Sequence, residues 1–222
     1  MQRSGSHAIV NWLANCIHLT TNETVRLHNV GTKHDYGKGN FKHFLKVHEN
    51  IPPPSKTKKT TIVIIRDVFN WAASIRQCDL QKFKKIETPR ENFPLGITIT
   101  EKVGTTHNPI QTAQKYIEIA HSQSKKIIIL FNKWFLEEDY RQNICSQLNI
   151  DYFEDGLDCV PYFGGGGSSF DGTTMDGNGR KMLVIERWRN FVDDDIYMNF
   201  LRGNPRLIEV SNSLFNFCPI SL

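Results

Sequence analysis

The sequence predicts an α/β fold: a central parallel sheet flanked by helices, built as a single domain over residues 1–222. Three observations carry that prediction. Ile62-Val63-Ile64-Ile65 is an unbroken β-branched run with no polar alternation, the pattern of a strand buried on both faces. Ile127-Ile128-Ile129-Leu130-Phe131 is a second such run. Each is followed by a segment of helical periodicity, and strand–helix alternation of this kind implies right-handed βαβ crossovers.

The elements follow in order. Met1-Gln2-Arg3-Ser4-Gly5-Ser6-His7 is a turn of small residues that feeds a helix. Ile9, Trp12, Leu13, Cys16 and Ile17 fall on one face of it at i, i+3, i+4, i+7 and i+8. Free backbone N–H groups and the helix dipole converge at such a start and form an anion cradle, to which Arg3 adds a full charge. A cradle of this kind normally follows a buried strand. Almost nothing precedes it here, so the expectation is a missing or truncated N-terminal strand, or one supplied differently.

Residues 20–40, with His28, Gly31-Thr32-Lys33 and His34, read as a strand and a surface loop. Phe41 to His48 reads as a second strand, stopped by Pro52-Pro53-Pro54. Lys46 and His48 then share one face at its end, by the alternation of side chains. Lys56-Thr57-Lys58-Lys59 is a solvated basic turn before the buried strand at 62–65.

That strand stops on Arg66-Asp67, and open α/β sheets bind ligands at the carboxyl ends of their strands. A helix is expected over 70–82, which puts Ser74 in its first turns. One guanidinium and one hydroxyl in that arrangement suit a phosphate. The plainer reading is that Arg66 pairs with Asp67 or a neighbouring carboxylate.

Residues 84–108 form a long polar loop, of a length that is functional or mobile in compact domains. Asn108-Pro109 opens a helix to about residue 121. The strand at 127–131 leads into a helix through Leu148, on which Tyr140, Ile144 and Leu148 share a face. Gly164-Gly165-Gly166-Gly167-Ser168-Ser169-Phe170, with the glycines through Gly179, reads as the most flexible stretch. Phe170 just past the glycines can stack on a base. Arg180-Lys181 and Arg187-Trp188-Arg189 restore positive charge before the terminal helices; the second cluster also fits a helix face whose long side chains reach solvent.

Composition narrows the function. Hydrophobic residues make up 39% of the chain and charged residues 23%, an ordinary globular balance. The net charge of +4 permits an anionic ligand without requiring nucleic acid, and there is no long basic arm. Cys16, Cys78, Cys145, Cys159 and Cys218 are scattered without CxxC or metal-ligand spacing, so the expectation is reduced thiols in a cytoplasmic setting. No apolar run reaches the length of a membrane span, and no signal peptide is visible.

In this order, these pieces resemble the sulfotransferase family, whose members use 3′-phosphoadenosine 5′-phosphosulfate as donor. Arg3-Ser4-Gly5-Ser6 resembles the family's [KR]-S-G-[ST] loop, which holds the 5′-phosphosulfate, with His7 next to it. Lys46-Val47-His48 resembles its K-[ST]-H motif, whose histidine is the catalytic base. Arg66 and Ser74 match its 3′-phosphate pair, an Arg with a Ser eight positions on. Ser168-Ser169-Phe170 is similar to the T-S-F segment whose aromatic packs on adenine. Arg180-Lys181 followed by Trp188-Arg189-Asn190 is similar to the R-K-G … W-K-N element that closes over the 3′-phosphate. The sequence departs from the family at His7-Ala8, where Thr-Trp is frequent. It departs again at Met182, in place of glycine, and at Phe131-Asn132-Lys133, where Tyr-Glu-Asp is usual.

The resemblance implies a P-loop-like fold and in-line sulfuryl transfer to an acceptor hydroxyl on a glycan, phenol or tyrosine, with adenosine 3′,5′-bisphosphate as product and no metal. His48 is then the general base, since an unperturbed imidazole titrates near ~6.5, and Glu49 is the runner-up. Lys46 and Arg3 answer charge on the transferring group and the leaving phosphate. Two rivals stand beside this reading. A P-loop nucleotide kinase lacks support because G-x-x-x-x-G-K-[ST] is missing. A non-catalytic nucleotide-binding relative is compatible with the departures.

Overall fold

A computed structural model of the protein describes residues 6–21, 25–30, 35–36, 43–48, 61–83, 126–160 and 168–220. They mix helix and strand and gather into two compact units, Met1–Ile64 with Lys125–Met182 and Ile65–Ser124 with Leu183–Leu222. The expected loop at 84–108, the helix at 108–121, and Gly164–Gly167 lie outside the described residues. No helix among the described residues is long and apolar enough to cross a membrane.

In the first unit, helix α1 spans Ser6–Thr21. Its periodic residues Ile9, Trp12, Leu13 and Cys16 are all buried, as the spacing predicts, and Ile17 is half-buried. Trp12 is fixed at both ends: its ring meets Trp134 edge-on at 5.9 Å, and its indole Nε1–H donates to the Phe153 carbonyl at 2.7 Å. α1 packs on strands β1 (Val25–Val30) and β3 (His43–His48).

β1 and β3 pair in parallel, from Val25 opposite His43 to Val30 opposite His48. Residues 31–42 connect them, close to the roughly dozen residues a parallel crossover needs. Strand β2 (Asp35–Tyr36) joins the other edge of β1 and runs antiparallel to it. Only residues 31–34 separate it from β1, too few for a parallel return. Strand β4 (Thr61–Ile65) pairs instead with β5 (Lys126–Leu130). Among the described residues, two small sheets therefore stand where one central sheet was expected. Burial is also less complete than an unalternating run implies: Val63, Ile65 and Ile129 are buried, whereas Ile62, Ile64, Ile127, Ile128 and Leu130 are half-buried. An apolar run does not say which strand lies beside it.

Phe131, expected to end the strand, starts a helix, and the single helix expected through Leu148 is two: α3 (Phe131–Leu136) and α4 (Glu138–Leu148). Glu137 between them is extended, at φ −110 and ψ 115. The break is held by Arg141, whose buried guanidinium Nη1 donates to the carbonyls of Trp134 at 2.8 Å and Phe135 at 3.4 Å. Those are the C-terminal carbonyls that a helix cannot satisfy itself. Tyr140 on α4 reaches back to β5: its hydroxyl accepts from Leu130 N at 3.0 Å and donates to Ile128 O at 3.2 Å.

Helix α2 (Val68–Phe83) opens the second unit. Asp67 is its N-cap: the buried carboxylate accepts from Asn70 N at 2.9 Å, and the Asp67 carbonyl accepts from Trp71 N at 3.1 Å. A further orphan donor at the helix start, Val68 N, is taken by Ser211 Oγ at 3.0 Å. Helices α5 (Asp195–Arg202) and α6 (Pro205–Phe215) pack on α2. Trp71 meets Phe200 at 6.1 Å, and the buried Tyr197 hydroxyl donates to Phe69 O at 3.2 Å. Asp194 caps α5 through Tyr197 N at 2.8 Å while holding Arg76 in a two-pronged pair at 2.9–3.1 Å.

The Asp67 cap leads to a stability prediction. Asp67→Ala is expected to lower the free energy of unfolding by about 0.5–2 kcal/mol, and Asp67→Asn, which keeps a capping oxygen, by less. Urea unfolding of both variants checks it; equal losses would show that the carboxylate charge, not the cap, sets the cost.

Candidate functional site

In the second unit, the residues after β4 build a buried cluster of positive charge. The chain leaves the strand at Arg66, turns at the Asp67 cap and enters α2, which brings Ser74 within reach of Arg66. The Arg66 Nη1 donates to Ser74 Oγ at 3.1 Å, and its Nη2 donates to the Val184 carbonyl. A second guanidinium arrives on the same hydroxyl: Arg187 Nη1 donates to Ser74 Oγ at 3.4 Å. Ser74 in turn donates to Asn70 O at 2.9 Å. Arg66, Ser74 and Arg187 are all buried.

Residues 184–188 hold this arrangement against the start of α2. The Asn70 side-chain amide donates to both Asp67 carboxylate oxygens, at 3.1 and 3.2 Å, and to Ile185 O at 2.9 Å. Its carbonyl accepts from Trp188 N at 3.3 Å. Arg187 opens a 3-10 turn (Arg187–Phe191), in which positions two apart point about 240° from each other. Arg187 therefore turns inward while Arg189 lies outward, over the Trp188 ring at 5.0 Å and paired with Glu186 at 3.1 Å.

The electrostatics follow from the geometry. Burial, and after it the charge of Arg187, pulls Arg66 down to about 9, with Asp67 pulling the other way. Arg66 is therefore charged at neutral pH in a field from its described neighbours that opposes its charge. A dianion seated here reverses that field, and two guanidinia with a hydroxyl at one point are the donors a phosphate takes.

The other predicted residues are placed differently. Arg3, Ser4 and Gly5 lie outside the described residues; Ser6 is the first residue of α1, and His7 follows it, half-buried. Lys46 stands in β3 opposite His28, and His48 ends the strand opposite Val30, two positions on along the same strand. Phe170 is half-buried in a tight hairpin in which Ser168 and Gly172 exchange backbone hydrogen bonds at 2.8 and 2.9 Å. The Ser168 hydroxyl accepts from the backbone N–H groups of Phe170 and Asp171, both at 3.1 Å, and Gly172 takes φ +58, which favours glycine.

From Ser168 to Gly179 the chain is thus bonded by its own turns, where flexibility was expected. Gly177 N and Gly179 N both donate to Asp158 O, at 2.9 and 3.1 Å, and a Cβ on Gly179 would collide with Leu157 O. Arg180 is committed to carboxylates of its own unit: Glu154 Oε1 at 2.6 Å and Asp158 Oδ2 at 3.0 Å. Burial lowers its pKa, but the Glu154 hydrogen bond and the two carboxylate charges outweigh this and raise it. Lys181 is exposed.

The structure brings together Arg66 and Ser74, adds Arg187, and sets Arg180 among acids. Arg187 is the member that sequence reasoning left among general positive charge; its signal was the Arg-Trp-Arg cluster itself. No family model, no curated protein and no solved structure matches the chain.

Proposed function

We propose that the chain is a sulfotransferase of P-loop-like α/β architecture, moving the sulfuryl group of 3′-phosphoadenosine 5′-phosphosulfate to an acceptor hydroxyl. The observation that carries this reading is the convergence of the buried Arg66 and Arg187 guanidinia on Ser74 Oγ, at 3.1 and 3.4 Å. These three residues hold the 3′-phosphate. Arg3, Ser4, Gly5, Ser6 and His7 carry the 5′-phosphosulfate at the start of α1, and Phe170 packs on adenine. His48 takes the acceptor proton as the new S–O bond forms. Lys46 answers the charge that collects on the bridging oxygen as the old S–O bond breaks. Lys181 remains near the surface, and Arg180 serves as a structural clamp on Glu154 and Asp158.

Calorimetry with adenosine 3′,5′-bisphosphate, ATP and GTP, followed by radiolabelled sulfate transfer to phenols, glycans and tyrosine peptides, tests the reading. Preferential binding of the bisphosphate and transfer to one acceptor class are the expected results. Tighter binding of ATP or GTP would point to a phosphotransferase. Tight bisphosphate binding without transfer to any acceptor would point to a nucleotide-binding relative.

Phe170→Ala is expected to weaken bisphosphate binding by about 1–3 kcal/mol, as loss of a base-stacking aromatic does. The hairpin should survive, because Ser168 and Gly172 hold it. Unchanged affinity in a folded variant would remove Phe170 from the nucleotide site.

A further inference from the structure

Two cysteines that stand 129 positions apart meet inside the first unit: the Cys145 thiol donates to Cys16 Sγ at 3.9 Å. Both are buried, and both are anchored on helices that are tied down on either side of them. One turn before Cys16, Trp12 bonds to Phe153 O; one turn after it, Thr20 Oγ1 donates to Cys16 O at 2.9 Å and accepts from Asp151 N at 2.6 Å. Beyond Cys145, α4 ends on Asn149 in the left-handed region, and Ile150 N donates to Cys145 O at 3.1 Å.

We propose that Cys16 and Cys145 form a dithiol modification site, oxidised by hydrogen peroxide to a disulfide that ties α1 to α4. The sulfurs already lie 3.9 Å apart and have to close to the ~2.05 Å of a disulfide. The two thiols are unequal. The hydrogen bond from Cys145 lowers the pKa of Cys16, while that bond and then burial raise that of Cys145. Cys16 is the nucleophile and Cys145 the partner that resolves it.

In the first step the Cys16 thiolate attacks one peroxide oxygen, the O–O bond breaks, and the departing hydroxide takes up the thiol's proton as water, leaving a sulfenic acid. In the second, Cys145 sulfur attacks Cys16 sulfur, the S–O bond breaks, and hydroxide leaves with the Cys145 proton as a second water. Two thiols lose two electrons in all, and both peroxide oxygens end as water. Burial selects a small oxidant of this class over a bulky disulfide.

The test uses the full chain carrying Cys159→Ser and Cys218→Ser, which removes the two exposed thiols and leaves Cys78 in the other unit as an internal control. After peroxide treatment under native conditions, the mass is expected to fall by two hydrogens. Peptide mapping is expected to link Cys16 to Cys145, reversibly with dithiothreitol. The thermal midpoint is expected to rise by about 5–10 °C. Adding Cys145→Ser should abolish the link and leave Cys16 as a sulfenic acid, which dimedone traps when the peroxide is removed and the protein is unfolded in urea. If that variant does not fold, the mapping on the parent chain decides alone. Cysteines 16 and 145 that stay fully alkylatable, or that link only after urea, would overturn the proposal, as would a link that includes Cys78.

Discussion

Replacing His48 with alanine lowers turnover by about 10²–10⁴, the range lost with a general acid–base group, and leaves bisphosphate affinity nearly unchanged. The expectation comes from the end of β3. His48 is its last residue, paired with Val30 at the edge of the β1–β3 ladder, and Lys46 precedes it by two positions on the same strand. In the proposed reaction the imidazole serves the acceptor hydroxyl, so its loss removes a proton acceptor without removing a contact to the adenosine. The acidic limb of the pH–rate profile should vanish with it. Lys46→Ala behaves differently and loses both turnover and donor affinity, since its charge answers the donor. Should His48→Ala stay active while Glu49→Gln is dead, the base is Glu49; should both stay active, the strand-end assignment fails.

Arg187→Gln and Ser74→Ala are each expected to weaken bisphosphate binding by about 1.5–3 kcal/mol, the worth of a hydrogen bond to a charged group, or roughly 10–150-fold. Arg187→Gln should also raise the pKa of Arg66, because it removes a neighbouring charge that opposes its protonation. Arg66→Ala is a poorer probe. It also takes the donor from the buried Val184 carbonyl, so it costs folding as well as binding. Isothermal calorimetry paired with urea unfolding separates the two effects. Unchanged bisphosphate affinity in folded Arg187→Gln would dismantle the anion site, whatever the fate of His48.

The sequence made the local elements readable and the tertiary choices opaque. The face of α1 was legible because Ile9, Trp12, Leu13 and Cys16 repeat with the helix period, and all are buried. β4 and β5 were legible because an unalternating β-branched run has few other uses. The break at Glu137 was not, because the contact that holds it is an Arg141 guanidinium reaching back to Trp134 and Phe135. The Arg66–Ser74 pair followed from a strand end and an interval of eight residues. Arg187 did not, since a basic cluster does not announce which arginine faces inward. That is decided by Asn70, Ile185 and Trp188 gripping one another across 115–118 residues. A separation of 129 positions likewise hid the Cys16–Cys145 pair.

The strap of residues 184–188 across the head of α2 also sets an order of events at the ribosome. Arg66 and its Val184 partner are 118 positions apart, so at about 5–20 residues per second the helix emerges roughly 6–24 s before the segment that covers it. For that interval Phe69, Trp71 and Ile75, all buried in the finished protein, have neither α5 nor α6 to lie against. The second unit is therefore completed only once α5 and α6 have been made.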